Sequence, residues 1–291
     1  MPGPGKRGRV QVGDTARGLV ELTRPANAVA AGVLAVVGGV VALDASSGGD
    51  AVAILAASAT TALATGGGMA INDYFDREID RTNDPDRPIP RGAVAPRTAL
   101  AFSALLFLGA AALALTLPAL AIAIAAVNLA ALVAYTELFK GLPGVGNALV
   151  AYLVGSAFLF GGAAVGNAEA SAVLAVLAAL STFSREVIKD VEDIAGDRRE
   201  GLRTLPIAVG ERRALWVATV SLAVAVVASP VPYLLGTFGV AYLVVVLPAD
   251  AVMCYAAYRS FGNATAGQSL LKYGTFIATV AFLAGRATLL V

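Results

Sequence analysis

Asp73, Asp76 and Asp80 stand at spacings of +3 and +4, and Asp190, Asp193 and Asp197 repeat those spacings 117 residues later. Each triplet is followed by an Arg-x-x-Pro: Arg87-Pro88-Ile89-Pro90 after the first, Arg203-Thr204-Leu205-Pro206 after the second. On a helix these offsets put three carboxylates within roughly a 60° arc of one face. Like charges so placed repel, and a duplicated pair of such faces is costly unless cations sit between them. Further acids thicken both segments: Glu78, Asp84 and Asp86 in the first, Glu186, Glu192 and Glu200 in the second. Hard oxygen ligands, with no His and a single Cys, suit Mg²⁺, which binds one or two carboxylates plus substrate phosphates. The Arg and Lys that run through both segments suit the remaining phosphate oxygens.

The elements that must position these groups are apolar. The chain has 291 residues, 58% hydrophobic and 14% charged, against about 25% charged in a soluble domain, and its mean hydropathy is +0.77. Apolar runs of about 18 residues or more read as membrane spans. Nine occur, near 26–43, 51–71, 98–117, 118–135, 146–166, 170–188, 213–229, 237–258 and 270–290. The expected fold is therefore all-α, a polytopic bundle of nine transmembrane helices forming one domain over 1–291. Counting basic residues tests that number. With nine spans, the N-terminus and the loops after spans 2, 4, 6 and 8 share one face, which collects 20 of the 21 Lys and Arg residues and leaves only Arg286 at the other end. This predicts a multi-pass protein of the cell membrane with a cytoplasmic N-terminus and both acidic segments cytoplasmic.

Two inner loops are long and polar, roughly 72–97 and 185–213, and predict a polar cap from loops 2–3 and 6–7 over the mouth of the bundle. Residues 1–24 are basic and lack an apolar core, so they are not a cleaved signal peptide; residues 10–24 alternate apolar and polar positions and suit a short interfacial helix. The matched triplets make spans 2 and 6 equivalent if the repeat is a true internal one; convergence on one metal geometry explains it equally well. The absence of His excludes an imidazole base, a Ser-His-Asp triad and a His-ligated zinc or haem, and the single Cys254 excludes an intramolecular disulfide.

A diphosphate held by metals above an apolar membrane cavity implies a substrate with an anionic head and a long hydrocarbon tail, and a prenyl diphosphate fits. Metals and basic groups stabilise charge on the departing diphosphate. An allylic electrophile so released is reactive enough for an ordinary alcohol, which accommodates the missing base. The bland alternative is that acidic helix ends mark the water boundary and pair with nearby Arg. That holds for any single Asp as readily as function does; two matched triplets favour function.

Asn72-Asp73-x-x-Asp76-x-x-x-Asp80 followed by Arg87-Pro88-Ile89-Pro90-Arg91-Gly92 resembles the first signature of the UbiA superfamily of intramembrane prenyltransferases, and Asp193-x-x-x-Asp197 resembles its second. The resemblance covers nearly the whole chain and implies Mg²⁺, two ions bridging the diphosphate. Asn72 and Asp76 match the family's first metal-binding pair, and Asp193 and Asp197 the second; Asp73, Asp80 and Asp190 complete the shells. The resemblance makes Asp76, Asp193 and Lys140 the catalytic set. It makes Arg24, Asn27, Arg87, Tyr135, Lys140, Arg185 and Lys189 the contacts to diphosphate, prenyl chain or acceptor, with interfacial snorkelling an equal reading for Lys140. Arg185 to Pro206, with Tyr135 to Pro143 and Gly146-Asn147, looks most like the archaeal ether-lipid branch. That branch implies transfer of a geranylgeranyl group from its diphosphate to the sn-2 hydroxyl of geranylgeranylglyceryl phosphate. Expected partners are therefore the prenyl diphosphate, a lipid-phosphate acceptor and membrane lipids, with no nucleic acid.

Two other readings stand beside this one. An aromatic acceptor, as in quinone synthesis, would need apolar walls, and the surplus of Arg77, Arg81, Arg91, Arg198 and Arg199 mildly favours an acceptor bearing phosphate. A cation-coupled transporter would place its ion sites near the bilayer midplane, not at one surface. Inside the spans, Asp250 is either a functional group or a partner for a neighbouring helix. Asn128 suits an interhelical hydrogen bond, and Gly66-Gly67-Gly68 suits close helix packing.

Overall fold

The computed structural model describes residues 12–43, 51–135, 139 and 142–288. Every regular element among them is helical: α1 (Val12–Leu22), α2 (Pro25–Ala42), α3 (Ala51–Phe75), α4 (Arg77–Asn83), α5 (Pro96–Ala114), α6 (Ala119–Ala134), α7 (Val145–Ala164), α8 (Ala168–Arg199), α9 (Leu205–Val209), α10 (Glu211–Ala228), α11 (Val231–Leu234), α12 (Val240–Ser260) and α13 (Ala264–Ala287). Among the described residues, seven helices are long and apolar enough to cross a membrane: α2, α3, α5, α7, α8, α10 extended through Leu234, and α12. The protein is a multi-pass membrane protein. Expected spans 4 and 9 fall on α6, of 16 residues, and α13, of 24.

Of the two polar stretches expected as loops, the first is helical over about half its length and the second over most of it. Residues 72–97 contain α4, and α8 carries on through the second acidic segment to Arg199. Nothing in its sequence stops it. Its start is capped by Asn167, whose Oδ1 accepts from the Ala170 amide, no Pro interrupts it, and Arg198 and Arg199 in the last turn suit the negative end of the helix dipole. The chain leaves helix at Gly201, φ +73, the left-handed conformation in which glycine ends helices. The first triplet differs. α3 ends at Phe75, Asp76 sits at φ −79, ψ −1, and α4 follows. Helical bonds still run through the junction, from the Asp76 amide to the Asn72 carbonyl at 2.9 Å and from Asp80 to Asp76 at 2.8 Å. The spacing survives on two coupled helices rather than one.

Glycine sets how closely these helices approach. A Cβ on Gly38 of α2 would stand 2.0 Å from the Phe158 carbonyl oxygen of α7, and one on Gly161 would stand 1.9 Å from that of Ala35. The two backbones are in direct contact, the packing that small residues permit where burying apolar surface offers no drive. Gly66, Gly67 and Gly68 likewise bring α3 against Thr23, Phe107 and Leu132, and Ser103 Oγ donates to the Gly67 carbonyl at 2.8 Å. Asn128 joins α6 to α7, accepting from Ser156 Oγ at 3.0 Å.

Asp250 is structural in its contacts. Ser229, which ends α10, donates from Oγ to Asp250 Oδ2 at 2.6 Å, and Tyr242 donates from its hydroxyl to the Ser229 carbonyl at 2.6 Å. All three residues are buried, so the trio pins the end of α10 to α12. Asp250→Ala strands the Ser229 hydroxyl, a loss worth about 1–3 kcal/mol. It is expected to lower the thermal midpoint in detergent and to leave turnover unchanged. A tenfold fall in turnover at an unchanged midpoint would give Asp250 a functional role instead.

Candidate active site

The first acidic segment is assembled by α1 and the turn that follows α4. Leu22 is fully buried beside Ile89 and Val94. Gly18 lies so close to that turn that a Cβ would stand 2.7 Å from Val94 Cγ2. Thr15 Oγ1 donates to the Ala93 carbonyl at 3.1 Å, and Arg91 Nη2 meets Glu21 Oε2 at 2.5 Å. The Arg91 guanidinium, then Arg17, holds the Glu21 carboxyl below its usual range against a smaller opposing effect of burial. Clamped in this way, the 87–94 turn delivers Arg87 to the carboxylates.

Arg87 is the hub. Its Nη1 lies 2.8 Å from Asp80 Oδ2 and 3.3 Å from Asp73 Oδ1, and its Nε lies 3.0 Å from Asp84 Oδ2. Arg24 arrives from the other side, with Nη2 2.8 Å from Asp73 Oδ1 and Nη1 3.5 Å from Met69 Sδ. The Asp73 and Asp80 side chains are only 5% and 8% exposed. Burial raises the Asp80 carboxyl above its ordinary range, with Arg87 opposing; burial pulls Arg87 down, but Asp73 and Asp80 outweigh it and hold Arg87 above its usual value. Asn72 and Asp76 turn a different edge, partly exposed, where Asn72 Nδ2 donates to Asp76 Oδ2 at 2.8 Å.

The second segment is carried on the end of α8. Asn147 Nδ2, in the first turn of α7, donates to Asp190 Oδ2 at 2.8 Å. Lys189 Nζ lies 2.5 Å from Asp193 Oδ2, and Thr204 Oγ1 donates to Asp197 Oδ2 at 3.1 Å. Arg185 pairs with its neighbour Glu186. A small cleft of about 40 Å³, partly open to solvent, lies beside this group and is lined by Tyr135, Leu142, Gly146, Asn147, Val150, Glu186, Asp190 and Thr204. The two segments are joined by a hydrogen bond from Asn83 Nδ2 to Glu200 Oε1 at 2.9 Å.

The structure thus brings Arg24, Asp73, Asp80 and Arg87 into one group. It brings Tyr135 and Asp190 to another, with Lys189, Asp193 and Asp197 along the same helix. Asn27 stands exposed on the first turn of α2, its backbone amide donating to the Arg24 carbonyl at 2.8 Å, and Lys140 lies outside the described residues. Among the described residues no three carboxylates converge closely enough to form a cage for one ion; guanidinium, amide and hydroxyl partners hold them apart. The donor set itself is all oxygen and fits Mg²⁺. Asn147 and Thr204 were missed as partners of the acids. The one signal for Asn147 was an Asn opening an apolar helix.

Apolar helices capped at one end by two oxygen-rich segments laced with guanidinium groups define a membrane-embedded protein built to hold a charged phosphate head over a hydrocarbon bundle. Residues 31–283 match the UbiA prenyltransferase family, and the chain belongs to it. It is a prenyltransferase. The sequence is 62% identical over 273 residues to the digeranylgeranylglyceryl phosphate synthase of Halobacterium salinarum, covering 94% of this chain and 98% of that one. A solved digeranylgeranylglyceryl phosphate synthase is 33% identical with a TM-score of 0.84, over 94% of this chain and 99% of its own. A UbiA homologue from Archaeoglobus fulgidus, solved with GPP and Mg²⁺ bound, shares the fold at 17% identity and a TM-score of 0.73, over 94% and 100% of the two chains.

Proposed function

We propose that this chain transfers a geranylgeranyl group from geranylgeranyl diphosphate to the sn-2 hydroxyl of geranylgeranylglyceryl phosphate, giving digeranylgeranylglyceryl phosphate and diphosphate for archaeal ether lipids. The observation that carries this reading is the placing of two oxygen-rich segments, each with its own basic groups, at one end of an apolar bundle. The name of the relative in Halobacterium salinarum supplies the acceptor. On this reading α6 and α13 complete nine crossings of the cell membrane, and the acidic segments with the N-terminus face the cytoplasm.

Asn72 and Asp76 on one side, with Asp190, Asp193 and Asp197 on the other, would hold Mg²⁺, one ion for each segment. When bound, the metal neutralises the diphosphate and makes it a better leaving group. The remaining work belongs to side chains. Arg24 and Arg87 meet the diphosphate from the first segment, and Lys189 and Arg185 from the second. Tyr135, Thr204 and Asn147 line the cleft beside Asp190 and orient the acceptor. The bond from the prenyl C1 to the diphosphate oxygen breaks first, the sn-2 oxygen then bonds to C1 of the allylic cation, and the hydroxyl proton leaves with the diphosphate or water.

Purified protein given Mg²⁺, labelled geranylgeranyl diphosphate and, separately, a glyceryl phosphate or an aromatic acceptor tests this directly. Labelled diether phosphate is expected with the first acceptor only, lost on chelation and restored by Mg²⁺. Product from the aromatic acceptor alone would overturn the assignment.

A further inference from the structure

We propose that Asp73 and Asp80 do not ligate the metal; they are counter-ions that hold the guanidinium groups of Arg24 and Arg87 toward the diphosphate. The proposal rests on the prenyl-transfer reading above and divides the first triplet by task, leaving Asn72 and Asp76 to the ion.

Three observations carry it. Asp73 Oδ1 already accepts from two guanidinium groups, Arg24 at 2.8 Å and Arg87 at 3.3 Å, and Asp80 Oδ2 accepts from Arg87 at 2.8 Å. Mg²⁺ demands near-octahedral oxygens at about 2.0–2.1 Å and keeps several waters. Asp73 Oδ1, shared by two cations, offers such an ion neither the space nor the net charge, and Asp80 Oδ2 is held by Arg87. The second observation is the backbone of Arg24. At φ 45, ψ 69 it is the one non-glycine residue with positive φ among the described residues, a conformation costing about 1–3 kcal/mol. Gly or Asn would turn the chain from α1 into α2 with less strain. The residue found there instead sends a guanidinium to Asp73, 49 positions along the chain, and Asp73 in turn holds it. The third is direction. Arg87 uses Nε and Nη1 on Asp84, Asp73 and Asp80, whereas its Nη2 makes no hydrogen bond among the described residues. The side chain is 28% exposed. Nε and Nη1 are thus fixed by carboxylates, leaving Nη2 to donate to a phosphate oxygen.

The test separates metal from anion without needing turnover. Mn²⁺ binding to the purified protein is followed by electron paramagnetic resonance, and inorganic diphosphate binding by calorimetry in the absence of metal. Asp73→Asn is expected to leave Mn²⁺ affinity unchanged and to weaken diphosphate by about tenfold, the scale of one charge-assisted hydrogen bond. Asp76→Asn should do the reverse. Should Asp73→Asn fail to purify folded, Arg87→Lys tests the same split, because it keeps the charge and loses the fork. In whichever variant is measured, loss of Mn²⁺ binding to the degree seen in Asp76→Asn, or unaltered diphosphate binding, overturns the proposal. Neither probe is the acceptor or the prenyl donor, so failure of the prenyl-transfer reading would show separately, as absence of product in the acceptor assay.

Discussion

Asp76→Ala and Asp193→Ala are each expected to cut Mg²⁺-dependent transfer by a factor of about 10³ or more, the scale on which preorganised charge stabilisation acts. Both variants should still purify folded in detergent, and the reason lies in their surroundings. The Asp193 side chain is 44% exposed and pairs with Lys189 one turn away, a surface pair worth about 0–1 kcal/mol. Asp76 sits at the partly exposed junction of α3 and α4 rather than in a core cluster. The fold therefore has little to lose and the chemistry much, because the diphosphate leaves carrying charge that nothing apolar below it can absorb. Raising Mg²⁺ should recover part of the loss in either variant. Near-normal turnover in one of them, at ordinary Mg²⁺, would remove that residue from the metal site.

Gly161→Ala should have the largest effect on stability. The added carbon would stand 1.9 Å from the Ala35 carbonyl oxygen and 2.7 Å from the Gly39 amide nitrogen. Both neighbours are backbone of α2, so no side chain can turn aside, and the helices must separate. Overpacking of this kind costs about 1–3 kcal/mol in well-packed cores, more where backbone has to move. The transition should fall by several degrees, read by thermal unfolding in detergent. Gly109→Ala in α5 makes the contrast. Its added carbon would meet only Leu63 Cδ1, at an ordinary 3.5 Å, and replacing Gly within a helix gains about 0.5–1 kcal/mol. If the two variants shift the midpoint equally, close backbone contact is not what joins α2 to α7.

The parts legible in the sequence were those that local spacing determines. Apolar length marked the helices, and the sorting of Lys and Arg marked one end of the bundle. The +3 and +4 offsets marked both acidic segments. The bend at Asp76 was hidden because neither Gly nor Pro stands there. The continuation of α8 to Arg199 was hidden for the opposite reason: polar composition suggested a loop, yet no Pro is present and the helix runs through Gly196 unbroken. Within the first triplet, the family resemblance set Asp76 apart as a metal ligand but left Asp73 and Asp80 open as ligands or acceptors behind them. Spacing alone treats the three alike, and it is the arrival of Arg24, 49 positions away, and of Arg87 that distinguishes Asp73 and Asp80. Asn147 and Asp190, 43 residues apart, are invisible to any periodicity for the same reason.

A helix of 32 residues is about 48 Å long, well beyond the roughly 30 Å of a bilayer's hydrocarbon. α8 therefore stands out of the membrane as a stiff post, carrying Asp190, Asp193 and Asp197 on an unbroken rod. Of the opposing acids, Asp73 stands on α3 before the junction at Asp76 and Asp80 beyond it, on a helix of only seven residues. The mouth of the bundle is built unequally, with one set of acids on a continuous helix and the other divided between two helices that meet at Asp76.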